Sequence, residues 1–167
     1  MQRIVIADAS ALIALAKIEH LFILQGLFGE IWLAPTVLVK LRLAEFAATG
    51  SALQAALDAD WLRVNPAPTA NTPLTGLDAG ETESILQALH AQLQGDAVLL
   101  IIDEQTGRAA ARELGLTIAG TAAVIGVAKQ RSLIPSARAV FEALLKTDFR
   151  ISADIIRQVL TNVGEPN

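Results

Sequence analysis

The chain contains no cysteine and no tyrosine, and aromatic residues make up only 4% of its 167 positions. Without cysteine there is no disulfide and no thiolate-bound zinc, which leaves hard cations on oxygen ligands, Mg²⁺ or Mn²⁺, as the metals to consider. A reducing cytoplasm is the expected setting. The shortage of aromatic and the excess of alanine, leucine and isoleucine argue against an all-β sandwich and for helices packed on a sheet. Charge is also sparse, at 18% of residues, and 13 basic against 17 acidic side chains give a net charge of −4. That balance excludes a broad basic face for nucleic acid, although a fold can still gather dispersed Arg and Lys into a local patch. No long apolar run opens the chain: Ile4-Val5-Ile6-Ala7 is broken at Asp8, too soon for a signal peptide or a membrane span, so no membrane association is expected.

What the chain does have is apolar bulk, 53% of residues, enough for a chain of this length to bury about two-thirds of its unfolded surface around one core. Residues 1–167 are expected to form a single domain with a helical extension from about residue 135. Ile4 to Ala7 and Val98 to Ile102 are aliphatic runs without a period, as in strands covered on both faces. Ile31-Trp32-Leu33 and Thr117-Ile118-Ala119 are shorter strand candidates. Helical spacing or helix-start signals appear over 9–17, from Pro35 to about Ala48, from Gly80 to about Leu93 with Leu77 and Asp78 as entry residues, and over 105–114, 121–130, 135–146 and 152–163. Between them, Asn65 to Thr75 holds Pro66, Pro68 and Pro73 and reads as a connecting loop. Trp32 and Trp61 read as core, and His20 and His90 as isolated surface or packing residues. Strands alternating with helices predict an α/β fold, a three-layer α/β/α sandwich with a central, mostly parallel sheet.

In such sheets ligands bind at the carboxyl ends of the strands. Two of the clearest strand candidates end in a carboxylate, at Asp8 and at Asp103, so both acids are expected on one rim. The helix opening at Gly80 brings Glu81 and Glu83 toward that rim. Residues two apart on a helix point in different directions, so one of the two faces it. Acids gathered this way suit a divalent cation that activates water against a phosphodiester. Each also has a plain role: Asp8 and Asp103 as turn or cap residues, Ser10 and Thr121 as helix caps, Glu81, Glu83 and Glu104 as acids favoured at helix starts. Arg108 and Arg112, at i and i+4, share a helix face that serves RNA phosphates or is simply solvated. Lys129 and Arg131 suit a helix C-terminus.

Four blocks, Ile6-Ala7-Asp8-Ala9-Ser10-Ala11-Leu12-Ile13, Gly80-Glu81-Thr82-Glu83-Ser84-Ile85, Ile102-Asp103-Glu104-Gln105-Thr106-Gly107-Arg108 and Leu114-Gly115-Leu116-Thr117-Ile118-Ala119-Gly120-Thr121, occur in an order that resembles PIN-domain proteins, in particular the prokaryotic VapC-like toxin ribonucleases. The likeness runs from residue 4 to about 134, and Phe149-Arg150-Ile151-Ser152 continues it. It implies endoribonuclease activity with Mg²⁺ or Mn²⁺, an RNA substrate, an antitoxin protein as partner, and homodimers. Carried over residue by residue, it makes Asp8, Glu83 and Asp103 the catalytic and metal-binding acids. Glu81 is the second choice for the helix acid, Glu104 a flanking acid, and Ser10 and Thr121 the hydroxyls near the site.

The likeness departs at one position. Where these proteins usually carry a Glu on the helix after the second strand, the phrase here reads Val37-Leu38-Val39-Lys40-Leu41, and Glu45 is too far along to face the same way. A cation at residue 40 repels a bound divalent ion or substitutes for part of its charge. Two readings therefore stand: a metal-dependent endoribonuclease, and a catalytically impaired PIN-like module that binds RNA or a protein. A nucleotide-binding α/β protein is disfavoured because no Gly-rich phosphate loop follows Ala7.

Overall fold

A computed structural model describes residues 3–68 and 74–166 of the chain, so residues 69–73 of the expected loop, Pro73 included, lie outside the described residues. At the centre is a five-stranded sheet in the order β3-β2-β1-β4-β5, with β1 Arg3–Ala7, β2 Ile31–Leu33, β3 Leu62–Val64, β4 Ala97–Ile101 and β5 Thr117–Ala119. Every pairing is parallel, from Ile6 opposite Trp32 and Ala7 opposite Ile101 to Leu33 opposite Val64 and Ile101 opposite Ala119. The sheet is thus wholly parallel rather than mostly so.

The aperiodic strands divide their side chains between two interiors. Val5, Ala7, Leu99 and Ile101 enter one apolar core, while Ile4, Ile6, Val98, Leu100 and Ile102 enter the other. Alternate residues of a strand face opposite sides, so continuous aliphatic character is what a sheet covered on both faces requires. The first core takes side chains from α1 (Ala9–Lys17), α2 (Phe22–Phe28), α3 (Pro35–Lys40), α4 (Ala47–Asp58), α7 (Thr121–Gln130), α8 (Ala137–Leu145) and α9 (Ala153–Asn162). The second takes them from α5 (Ala79–Leu93) and α6 (Gln105–Glu113). The tail is fastened to the rest: Glu165 accepts bonds from Ser136 Oγ (2.9 Å) and Ala137 N (2.7 Å) at the start of α8. Trp32 and Trp61 are only half-buried at the margins of the two cores.

The helix expected from Pro35 to about Ala48 stops at Lys40; the chain turns through Arg42 with φ 51°, and α4, from Ala47 to Asp58, is a further helix that the sequence does not announce. The Leu43 carbonyl lies so close to Gly50 that a Cβ there would sit 2.0 Å from its oxygen. Glu45 falls in this turn, with its carboxylate 3.4 Å from Arg42, and plays no part in the acidic rim.

Candidate functional site

In the strand order, β1 and β4 are neighbours whose onward connections lead to opposite sides, toward β2 and toward β5. This is the switch point at which parallel sheets open a crevice beyond their carboxyl ends. Asp8 follows β1 directly, and its amide extends the ladder to Ile101 O at 3.0 Å; Asp103 lies two residues beyond β4. Both acids therefore stand at the switch point. Asp8 is only 3% exposed, and its Oδ1 is buried without a hydrogen-bond partner among the described residues. Burial pushes its carboxyl above the usual range, with the charges of Asp78 and Asp103 adding to the rise and the Ala9 amide and Lys40 opposing it.

Asp103 is held from three directions. Thr121, fully buried at the start of α7, gives it an amide bond to Oδ1 (2.8 Å) and a hydroxyl bond to Oδ2 (2.7 Å), and Ser10 Oγ reaches Oδ2 at 3.2 Å. The two hydroxyls singled out in the sequence thus converge on this one carboxylate. Gly120 permits the approach: a Cβ there would lie 3.0 Å from both Asp103 Oδ1 and Arg108 Nη1. Arg108 donates to Ile102 O (2.9 Å), whereas Arg112, on the same helix, is exposed. Glu104 caps α6 through the amides of Thr106 and Gly107.

The start of α5 brings the remaining charges. Asp78 caps the helix through Glu81 N (2.8 Å), and Glu81 answers by accepting from Asp78 N (3.1 Å), a reciprocal capping box. Burial, with the charges of Asp78, Asp8 and Glu104, raises the Glu81 carboxyl. Glu83 goes elsewhere: its Oε2 accepts from Thr36 N at 2.9 Å, at the opening of α3. Each of the two helix acids thus accepts one backbone amide, Glu81 within the capping box and Glu83 from the start of α3, and the charge of Asp8 acts on Glu81. Two further residues share the site. Asp78 reads in the sequence only as a helix-entry residue, and Lys40 only as a departure from the acidic pattern. Lys40 donates to Asp78 Oδ2 at 2.6 Å, and its ammonium acts on Asp8 and Glu81 as well.

A family model described as PIN domain matches residues 4–165. The chain belongs to the PIN-domain family. Among solved structures, a PilT N-terminus domain protein from the hyperthermophilic archaeon Sulfolobus solfataricus P2 has a similar fold, with a TM-score of 0.53 at 15% identity, covering 89% of this chain and 99% of that one. No curated protein matches the chain closely enough to count as a relative. PIN domains are a family of nucleases that typically use divalent metal ions.

For this PIN domain the donor chemistry fits such an ion. Its acids are hard oxygen donors of the kind Mg²⁺ and Mn²⁺ take, and the buried Oδ1 of Asp8 is an oxygen to which none of the described residues donates a hydrogen bond. As they stand, no three His, Asp or Glu side chains among the described residues are gathered tightly enough to enclose an ion. On the other side of Asp103 a cleft of about 690 Å³ runs between α7 and α9, with Gln105, Arg108, Arg150 and Gln158 among its walls and Val127, Ile155 and Val159 offering apolar surface. Asp8 is not part of that cleft. No helix among the described residues is long and apolar enough to cross a membrane.

Proposed function

We propose that this PIN domain is a metal-dependent endoribonuclease whose ion is held by Asp8 and Asp103 at the strand ends, with an acid from the start of α5, Glu83 or Glu81, drawn in when the ion binds. The observation that carries the proposal is the buried Asp8 Oδ1 at the switch point of the sheet, without a hydrogen-bond partner among the described residues, beside a second acid already oriented by three hydrogen bonds. Bound there, Mg²⁺ or Mn²⁺ supplies a polarised water and offsets charge on a phosphodiester. The chain's own residues do the rest. Thr121 and Ser10 fix the Asp103 carboxylate, as outer partners of a ligand do. Arg108 and Arg150, on the walls of the adjoining cleft, provide cationic contacts for the backbone of an RNA strand running away from the acids, with Arg112 reinforcing the positive field of α6. Glu83 orders the start of α3, the helix that carries Lys40.

The likeness of the four sequence blocks to VapC-like toxins extends this reading to a toxin restrained by an antitoxin protein, acting in the cytoplasm as a homodimer. The test is RNA cleavage by an RNase-free preparation in Mn²⁺. Cleavage that stops on chelation supports the proposal, and a folded, Mn²⁺-supplied protein that leaves RNA intact removes it. The second reading, an impaired PIN-like module that binds RNA or protein, is favoured by the 2.6 Å Lys40–Asp78 pair in the acidic site. RNA binding without cleavage at any Mn²⁺ concentration is its signature.

A further inference from the structure

We infer that Lys40 is the resident cation of the acidic site: its ammonium, laid across the start of α5 onto Asp78, supplies positive charge that a divalent ion must displace or share. The inference rests on the metal-site reading and goes beyond it, because it makes metal affinity depend on a residue that is not a ligand.

Three observations meet at Lys40. Its Nζ is 2.6 Å from Asp78 Oδ2, while its charge also reaches Asp8 and Glu81, so three acids from two distant stretches share one counter-ion. Next, the path of its side chain is built into the backbone. A Cβ at residue 80 would lie 2.9 Å from Lys40 Cδ and 3.5 Å from Nζ, and glycine is what stands there. Finally, among the described residues Asp8 Oδ1 is buried with no hydrogen-bond partner, so the ammonium compensates Asp8 through space without occupying that oxygen. Asp78 and Lys40 are themselves partly open to solvent, but Asp8 and Glu81 are buried, and buried like charges are costly when nothing balances them. With Lys40 in place, the metal-free fold has a balancing charge of its own.

Displacement has a definite direction. A divalent ion entering beside Asp8 gains the unbonded oxygen and meets an ammonium of like sign, so binding is weakened while Lys40 stays and strengthened when Lys40 is neutralised or pushed aside. Neutralising it strips charge from the metal-free cluster as well, which lowers the stability of the metal-free protein.

The experiment is calorimetric titration of Mn²⁺ into the full chain, paired with thermal melts without metal. The variants are Lys40→Gln, which keeps a long polar side chain, and Gly80→Ala, which leaves the ammonium present but crowds its path. Lys17→Gln, which breaks the remote Lys17–Asp148 pair, is the control. Lys40→Gln is expected to bind Mn²⁺ at least about tenfold more tightly and to melt lower than wild type in EDTA, with most of the difference restored by Mn²⁺. Gly80→Ala is expected to tighten Mn²⁺ binding in the same direction, and Lys17→Gln to leave affinity unchanged. Equal Mn²⁺ affinity in wild type and Lys40→Gln, both folded, overturns the inference while leaving the metal-site reading intact. Absence of Mn²⁺ binding in wild type and in both site variants overturns the two together.

Discussion

Asp8 carries two burdens at once, since it is nearly inaccessible to water and has an oxygen that none of the described residues satisfies. A carboxyl whose folded pKa is raised contributes stability below its unfolded value, near 3.8 for Asp8 and 4.5 for Glu81, and that contribution is lost as pH climbs through the folded value. Asp8→Asn therefore raises the metal-free melting temperature at neutral pH, by about 2–4 °C for each kcal/mol relieved. The gain shrinks as the pH is lowered toward 4, which melts across a pH series will show. Asp78 runs the other way. Although burial opposes it, the Glu81 amide and Lys40 hold its carboxyl below the usual range, so its contribution is lost as pH falls. Thr121 offers a separate test, because its hydroxyl bonds Asp103 while its body is wholly buried. Thr121→Val keeps the shape and removes that bond. It is expected to weaken Mn²⁺ binding about 10–100-fold, the range for partners that orient a metal ligand.

Among the elements, those with the longest aliphatic runs are the most legible in the sequence. Ile4 to Ala7 and Val98 to Ile102 announce the two central strands, and the acids at their ends follow onto the switch point. Helix α7 can be read to the residue from the spacing after Gly120. The break between α3 and α4 is hidden because the residues around it, Leu41 to Ala48, read as a continuous helix; the turn depends on the Leu43 carbonyl packing against Gly50, an approach made only on folding. Gly50→Ala forces a methyl group into that carbonyl and is expected to cost about 1–3 kcal/mol or more, measurable by denaturant unfolding. The choice between Glu81 and Glu83 is illegible for a similar reason. Both are acids near the start of one helix, and only the Thr36 amide, brought in by another helix, decides where Glu83 goes. Lys40 stands out in the sequence as a departure, but its partner Asp78 does not, since an aspartate before a helix is sufficiently explained as a cap.

Across the whole molecule, the net charge of −4 counts against the nucleic-acid role, and the fold answers that objection only locally. Arg108 and Arg150 flank one cleft beside Asp103, while the acids gather on the neighbouring side of the same rim. Electrostatic binding of RNA at such a cleft is salt-sensitive: the slope of log affinity on log salt steepens by roughly 0.7 for each phosphate of a single strand that the protein neutralises. Arg150→Glu is expected to weaken binding of a short single-stranded RNA in EDTA and to flatten that slope, as fluorescence anisotropy at several salt concentrations would reveal. The central claim, that the end of β1 and the residues past β4 are built around a divalent ion, is tested most directly by titrating Mn²⁺ into wild type and Asp8→Asn by calorimetry. Saturable uptake by wild type, abolished in a variant that melts no lower, is the predicted result. Identical uptake by both proteins, or none by wild type, contradicts it.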